Sequence, residues 1–153
     1  MMRRKDREKD AAFALAVLQN CEYATLATIN PDGSPYCIPV SPVLLDGNAY
    51  FHCATEGKKL ENIDKNTAVC LSGVGYTNLI PEKYSTEYES FVANGKCEIV
   101  MDKDEKIKAL RCISEKYAQS AIDQFDDRML EWAHRTCVCK INIEQITGKA
   151  NRL

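Results

Sequence analysis

Tyr50-Phe51-His52-Cys53-Ala54-Thr55-Glu56-Gly57-Lys58-Lys59-Leu60-Glu61-Asn62-Ile63 has the pattern of a buried strand that runs through a glycine into a short helix whose first turn carries two lysines. The first N–H groups of a helix have no partner within it, and they lie at the positive end of its dipole. Such a junction attracts a phosphate, and two adjacent ammonium groups add charge for it. Gly-Lys-Lys at a strand-to-helix turn also occurs as solvated punctuation, so the surrounding chain has to settle its meaning.

Upstream of this stretch lie two hairpins. Tyr23–Ile29, rich in β-branched and aromatic types, stops at Asn30-Pro31-Asp32-Gly33-Ser34, and Pro35–Val40 returns. Pro39 cannot donate a ladder hydrogen bond and marks a strand edge or a bulge, where backbone is free to meet a ligand. Pro42–Leu45, Asp46-Gly47-Asn48 and Ala49–Cys53 form the second hairpin. Before them, Phe13, Ala16 and Val17, widened by Leu15 and Leu18, give residues 6 to 20 a helical stripe that caps a core.

Downstream, a helix over Lys59–Lys65 ends at Asn66, a C-cap residue, and Thr67–Val74 is a strand. Residues 75 to 86 lack a clear period and contain Pro81, which predicts a loop. Glu87–Val100 is a long strand that Gly95 bends, 102 to 118 is a helix, about 126 to 135 is a second one holding Met129, Leu130, Trp132 and Ala133, and Thr136–Ile143 is the last strand. Strands joined by tight turns predict an antiparallel meander that closes into a small barrel, with the helix of residues 1–20 packed on it in one domain spanning 1–153.

With 20 Lys+Arg against 22 Asp+Glu, the formal charge of -2 gives no electrostatic footprint for nucleic acid. No apolar run reaches the roughly 20 residues that cross a bilayer, and no export signal follows the charged start, so a cytoplasmic protein away from the membrane is expected. Eight cysteines, at 21, 37, 53, 70, 97, 112, 137 and 139, contain no Cys-x-x-Cys. Most sit in apolar strand patterns and read as free thiols acting as small hydrophobes, including the Cys137/Cys139 pair on one strand face; no metal site is expected. His134 reads as structural, and Trp132 as core or interface.

The motifs Tyr23-Ala24-Thr25-Leu26-Ala27-Thr28 with Asp32-Gly33-x-Pro35-Tyr36, Pro39-Val40-Ser41, Tyr50-Phe51-His52-x-Ala54-x-x-Gly57-Lys58-Lys59-Leu60, Tyr88-x-Ser90 with Gly95-Lys96, and Ile146-Thr147-Gly148-Lys149 cover nearly the whole chain. In this order the chain resembles the pyridoxamine 5′-phosphate oxidase-like, FMN-binding split-barrel superfamily, and is most similar to its nitroimidazole-resistance (Nim-type) flavin-nucleotide-binding proteins. The resemblance implies a mostly β, antiparallel, Greek-key-like split barrel with flanking helices, and a homodimer with FMN at the subunit interface. It also implies that Gly57, Lys58 and Lys59 hold the phosphate, and that His52, Cys53, Ala54 and Thr55 line the ribityl chain and the edge of the isoalloxazine. Pro39, Val40 and Ser41 would offer backbone and hydroxyl groups to the ring, and Ser90 would come from the partner subunit.

A flavin needs an apolar slot, a few polar groups and compensation for a dianionic tail, which this set provides. His52 is then the expected catalytic residue, supplying or orienting a proton. The expected activity is that of an FMN-dependent, nitroreductase-like oxidoreductase passing electrons from NADH or NADPH to a small-molecule substrate; the alternative is a non-catalytic flavin- or haem-binding module. No Gly-x-Gly-x-x-Gly follows a strand, so a nicotinamide would dock transiently over the flavin. The arginines that surround the phosphate and pyridoxal in the oxidases have no matching stretch here, which argues against pyridoxamine phosphate as substrate.

Overall fold

The computed structural model describes residues 3–125 and 132–153. After a short strand β1 (Glu8–Lys9), helix α1 (Ala11–Asn20) starts where the Asp10 carboxylate accepts from the Phe13 N–H. Two hairpins follow, β2 (Ala24–Ile29) with β3 (Pro35–Val40) and β4 (Val43–Leu45) with β5 (Asn48–Cys53). Each turns where the sequence permits a left-handed backbone: Gly33 has φ 83°, and Asp46 and Gly47 have φ 50° and 78°, the pair of positive angles that a two-residue hairpin turn requires. Helix α2 (Lys58–Lys65), the long hairpin β6 (Ala68–Ile80) and β7 (Ser85–Ile99), helix α3 (Lys103–Tyr117) and β8 (Cys137–Asn151) follow, with 3-10 turns at Lys5–Arg7, Pro81–Lys83, Gln119–Gln124 and Ala133–Arg135.

All strand pairings are antiparallel, in the order β3-β2-β6-β7-β8-β5-β4, with β1 added on β8. This is Greek-key-like and not a simple meander, because β6 lies beside β2 and β8 separates β7 from β5. The two end strands, β3 and β4, are consecutive in the chain and joined only by Ser41 and Pro42. A sheet whose first and last strands are linked by two residues has to curl on itself, and the unpaired seam between them is the split of a split barrel.

The inside of the curl holds Leu26, Val40, Phe51, Leu71, Phe91, Cys97 and Ile141, covered by Val17 and Leu18 of α1 and Leu60 and Ile63 of α2. Tyr50 and Val138 point the other way and join Leu110 and Ile113 of α3 in a second apolar cluster. The end of α3 locks the seam: the Lys116 Nζ donates to the Pro42 carbonyl at 2.7 Å and to the Leu18 carbonyl at 3.3 Å, and the Tyr117 hydroxyl donates to the Pro42 carbonyl at 2.7 Å. Burial lowers the pKa of Lys116 and raises that of Tyr117.

Three sequence expectations are corrected. The predicted loop over residues 75 to 86 is mostly strand, because β6 absorbs Gly75 as a bulge between Val74 and Tyr76 and continues to Ile80, where Pro81 starts the turn. The last strand runs on to Asn151, since β7 offers it partners as far as Tyr88. Trp132 is 61% exposed and so not a core residue, while Met129 and Leu130 lie outside the described residues.

Gly95 bends the sheet as expected, at a register shift where Asn94 faces Gln145 and Gly95 faces Ile143. A Cβ there would lie 2.0 Å from the Asn142 carbonyl oxygen, a backbone atom that cannot move aside cheaply. Gly95→Ala should therefore lower stability by about 3 kcal/mol or more in urea unfolding, well beyond an exposed Gly→Ala change.

Candidate functional site

Strand β5 delivers its end to one mouth of the curled sheet. Phe51 and Cys53 face inward, while His52, between them, faces outward. Ala54, Thr55 and Glu56 follow as exposed linker, and Gly57 starts α2 with φ 136° and ψ 162°. That backbone is one that L side chains rarely adopt, so glycine is required by conformation; the space where a Cβ would sit has nothing within 4 Å. No side chain caps the helix. The Gly57 carbonyl accepts from the Leu60 and Glu61 amides, which leaves the N–H groups of 57–59 facing the open space in front of the helix.

Helix α2 is held in this pose by polar bonds from its buried side. Asn62 is 1% exposed, and its amide donates to the Thr28 hydroxyl and to the Asn30 side-chain oxygen, both at 3.0 Å. The Thr28 hydroxyl in turn donates to the Tyr36 carbonyl at 3.4 Å, and the Tyr36 ring carries the Lys58 ammonium 4.9 Å from its centroid. In the same turn, Asn30 donates to the Ser34 hydroxyl at 2.9 Å. Hydrogen bonds from Ser34, with a smaller contribution from the Lys58 charge, keep Asp32 below the usual carboxylate range. Lys58 thus sits on the β3 side of the junction. Lys59, half-buried, is near enough to Cys137 at the start of β8 for its charge to act on that thiol.

Beside the junction, His52, Cys53 and Ala54 line a cleft of about 350 Å³ together with Trp132, Arg135 and Thr136. Partial burial lowers the His52 pKa, so the imidazole is neutral near pH 7 and acts as an acceptor or through its own N–H. A neighbouring cleft of about 260 Å³ is lined by Thr55, Lys106, His134 and Cys137 among others. The close approach of the Cys53, Cys137 and Cys139 thiols, with Cys97 beside Cys139, lowers the Cys137 pKa and raises those of Cys53 and Cys139.

The structure therefore brings His52, Cys53, Ala54, Thr55, Gly57, Lys58 and Lys59 to one place. Pro39 and Val40 end the unpaired edge strand β3, opposite Thr25 and Ala24, and Ser41 follows half-buried in the seam. Ser90 stands apart, its hydroxyl donating to the Lys149 carbonyl at 3.4 Å. His52 pairs with Val138 and Ser90 with Lys149, so eleven residues of β8, roughly 35 Å of strand, separate them.

Asn62, Thr28, Tyr36 and Arg135 were not legible as site residues. Asn62 did leave a trace, a polar residue between the apolar Leu60 and Ile63 of a short helix. Trp132 and Arg135 reach the cleft through the chain's path alone.

A curled antiparallel sheet with a two-residue seam, and a helix start opening beside it, defines a split-barrel protein. The chain belongs to the pyridoxamine 5′-phosphate oxidase family, whose model matches residues 10–150. Among solved structures it is similar to a candidate 5-nitroimidazole antibiotic resistance protein of Bacteroides thetaiotaomicron, at 23% identity over 94% of this chain and 89% of that one, with a TM-score of 0.73. The flavocytochrome Anf3 of Azotobacter vinelandii matches at 16% identity over 100% and 73% of the two chains, TM-score 0.79. The FAD and heme binding protein of Mycobacterium smegmatis matches at 15% over 96% and 74%, TM-score 0.80. No curated protein matches the chain. At these identities the likeness is one of fold.

Two measurements check the site. Asn62→Ala leaves the buried Thr28 hydroxyl short of a donor and should cost about 1–3 kcal/mol in denaturant unfolding. For His52 the folded pKa lies below the unfolded value near 6.5, so the unfolded chain binds more protons in the window just below it. Stability should rise with pH through that window and level off above it, and His52→Gln should remove that part of the slope.

Proposed function

We propose that the protein binds a flavin mononucleotide at the seam between two copies of the chain and works as a flavin-dependent oxidoreductase. The observation that carries this is the uncapped start of α2, where Gly57 opens free space before three amides and two lysines, next to the His52 cleft. That arrangement fits a terminal phosphate with a planar ring lying further along β5. The amides of 57–59, with Lys58 and Lys59, hold the phosphate. Ala54 and Thr55 follow the ribityl chain, and the edge of β3 at Pro39, Val40 and Ser41 offers backbone groups to the ring. When bound, the flavin supplies hydride and electron transfer between a reduced nicotinamide and a small electrophile.

His52, neutral at pH 7, holds the proton that such a transfer needs at an imidazole nitrogen, and Trp132 and Arg135 cover the cleft. Family membership supports a flavin, as do the flavocytochrome and the FAD and heme binding protein among the neighbours. Their haem keeps one other reading open, a non-turning-over flavin or haem module, favoured by His134 lining the cleft next to Thr55 and Lys106.

The distance from Ser90 to His52 along β8 supports a second copy as the source of the Ser90 contact. So do the exposed apolar side chains Tyr23, Val74, Leu79, Tyr84 and Val92 on β2, β6, β7 and their approaches, which a partner would cover. A shallow cleft of about 530 Å³ between the end of α1, β2 and β6 lies among them.

The protein as purified should show a flavin spectrum, bleach with NADH or NADPH without oxygen, and recover on adding metronidazole. A haem spectrum, or a flavin that neither nucleotide bleaches, overturns the enzyme reading. The double substitution Lys58→Ala/Lys59→Ala should weaken FMN binding about 10- to 100-fold, on the order of 1–3 kcal/mol, while the fold persists.

A further inference from the structure

The alternation that turns His52 outward brings Cys53 against β8. Cys53 is the cross-strand partner of Cys137, and Cys139 follows two residues later on the same face. Their three sulfur atoms all lie within 4.8 Å of one another. Cys137 is 7% exposed and Cys139 fully buried, with Cys53 intermediate at the edge. No carboxylate or imidazole joins this group among the described residues.

Three thiols in a triangle of this size match a metal ion at its centre, because metal–thiolate bonds of about 2.3 Å in a trigonal plane require sulfurs about 4 Å apart. An all-sulfur donor set selects a soft ion; Cys97 stands beside Cys139, but among the described residues no fourth donor lies within 4.8 Å of all three sulfurs, which disfavours zinc, which takes four. Two cations stand nearby, since the charges of Lys59 and Lys106 both act on Cys137. Access exists as well: Cys53 lines the His52 cleft, and Cys137 lines the neighbouring one with Lys106.

We propose that Cys53, Cys137 and Cys139 form a three-thiolate binding site for copper(I). Binding is coordination without oxidation: one copper(I) replaces three thiol protons, giving a centre of charge two minus and releasing three protons. Lys59 and Lys106 offset that charge. Cys21, Cys37, Cys70 and Cys112 belong to other parts of the structure and take no part, and Cys97, beside Cys139, lies outside the triangle of mutually close sulfurs.

The test is anaerobic competition of the whole protein, as purified, against bicinchoninate-bound copper(I), followed by X-ray absorption at the copper edge. The expected result is one copper(I) per chain with three sulfur neighbours at about 2.3 Å. Loss of a second-sphere partner costs 10- to 100-fold, so Cys53→Ser, which removes a ligand, should weaken uptake by about 100-fold or more, and Cys37→Ser should leave it unchanged. Circular dichroism checks that Cys53→Ser stays folded, and the sulfur count in the wild type carries the test if it does not.

No stoichiometric uptake, fewer than three sulfurs, or uptake unchanged in folded Cys53→Ser overturns the proposal, as does zinc(II) displacing copper(I) at equal concentration. Protein that takes copper but no flavin upholds this site and overturns the flavin reading; the reverse result does the opposite.

Discussion

The fold depends on how its sheet is closed. β3 and β4 end the sheet yet follow one another in the chain, so Ser41 and Pro42 alone bridge the seam. Proline brings no N–H to that link, and its carbonyl would stand unpaired beside the buried ends of α1 and β4. Lys116 and Tyr117 satisfy it together from the end of α3. The desolvation of the Lys116 ammonium is the cost, offset by two carbonyl acceptors. The far end of a helix whose first turns carry Lys106 to the neighbouring cleft thereby fixes the curl, and the curl fixes where the ends of β3 and β5 lie.

From that constraint the site follows by local chemistry. A short helix of eight residues has little intrinsic stability, so its direction has to come from packing. Leu60 and Ile63 bury it, but apolar contacts alone tolerate rotation; the Asn62 amide, held by two directed bonds to Thr28 and Asn30, does not. The Lys58–Tyr36 contact adds a second tie to the same hairpin, one helical turn before Asn62. The uncapped start of the helix is thus held in place by residues on its buried side.

Much of this was readable from local pattern. The hairpins were marked by Asn-Pro-Asp-Gly-Ser and Asp-Gly-Asn, the bend by Gly95, the edge strand by Pro39 and the helix start by Gly57-Lys58-Lys59. What failed was pairing. The strand character of 144 to 151 comes from β7, some fifty or more residues earlier in the chain, and that of 76 to 80 from a hairpin with 85 to 89 whose turn at Pro81 lies in a segment without a clear period. Asn62, Arg135 and the convergence of Cys53 with Cys137 are likewise products of pairing between segments more than thirty residues apart.

The same alternation separates two chemistries on one strand. At the end of β5, His52 is presented to the cleft and Cys53 to the sulfur cluster, so adjacent residues serve opposite faces. Lys59 stands where the two meet, its charge felt by Cys137 while its backbone amide belongs to the open helix start. A dianion before α2 and an anionic sulfur centre behind it would both draw on this one ammonium. Each would weaken the other's hold on it, and Lys58 and Lys106, one on either side, are placed to share that load. The spacing of the cations, more than their number, is therefore what would allow both sites to be filled at once.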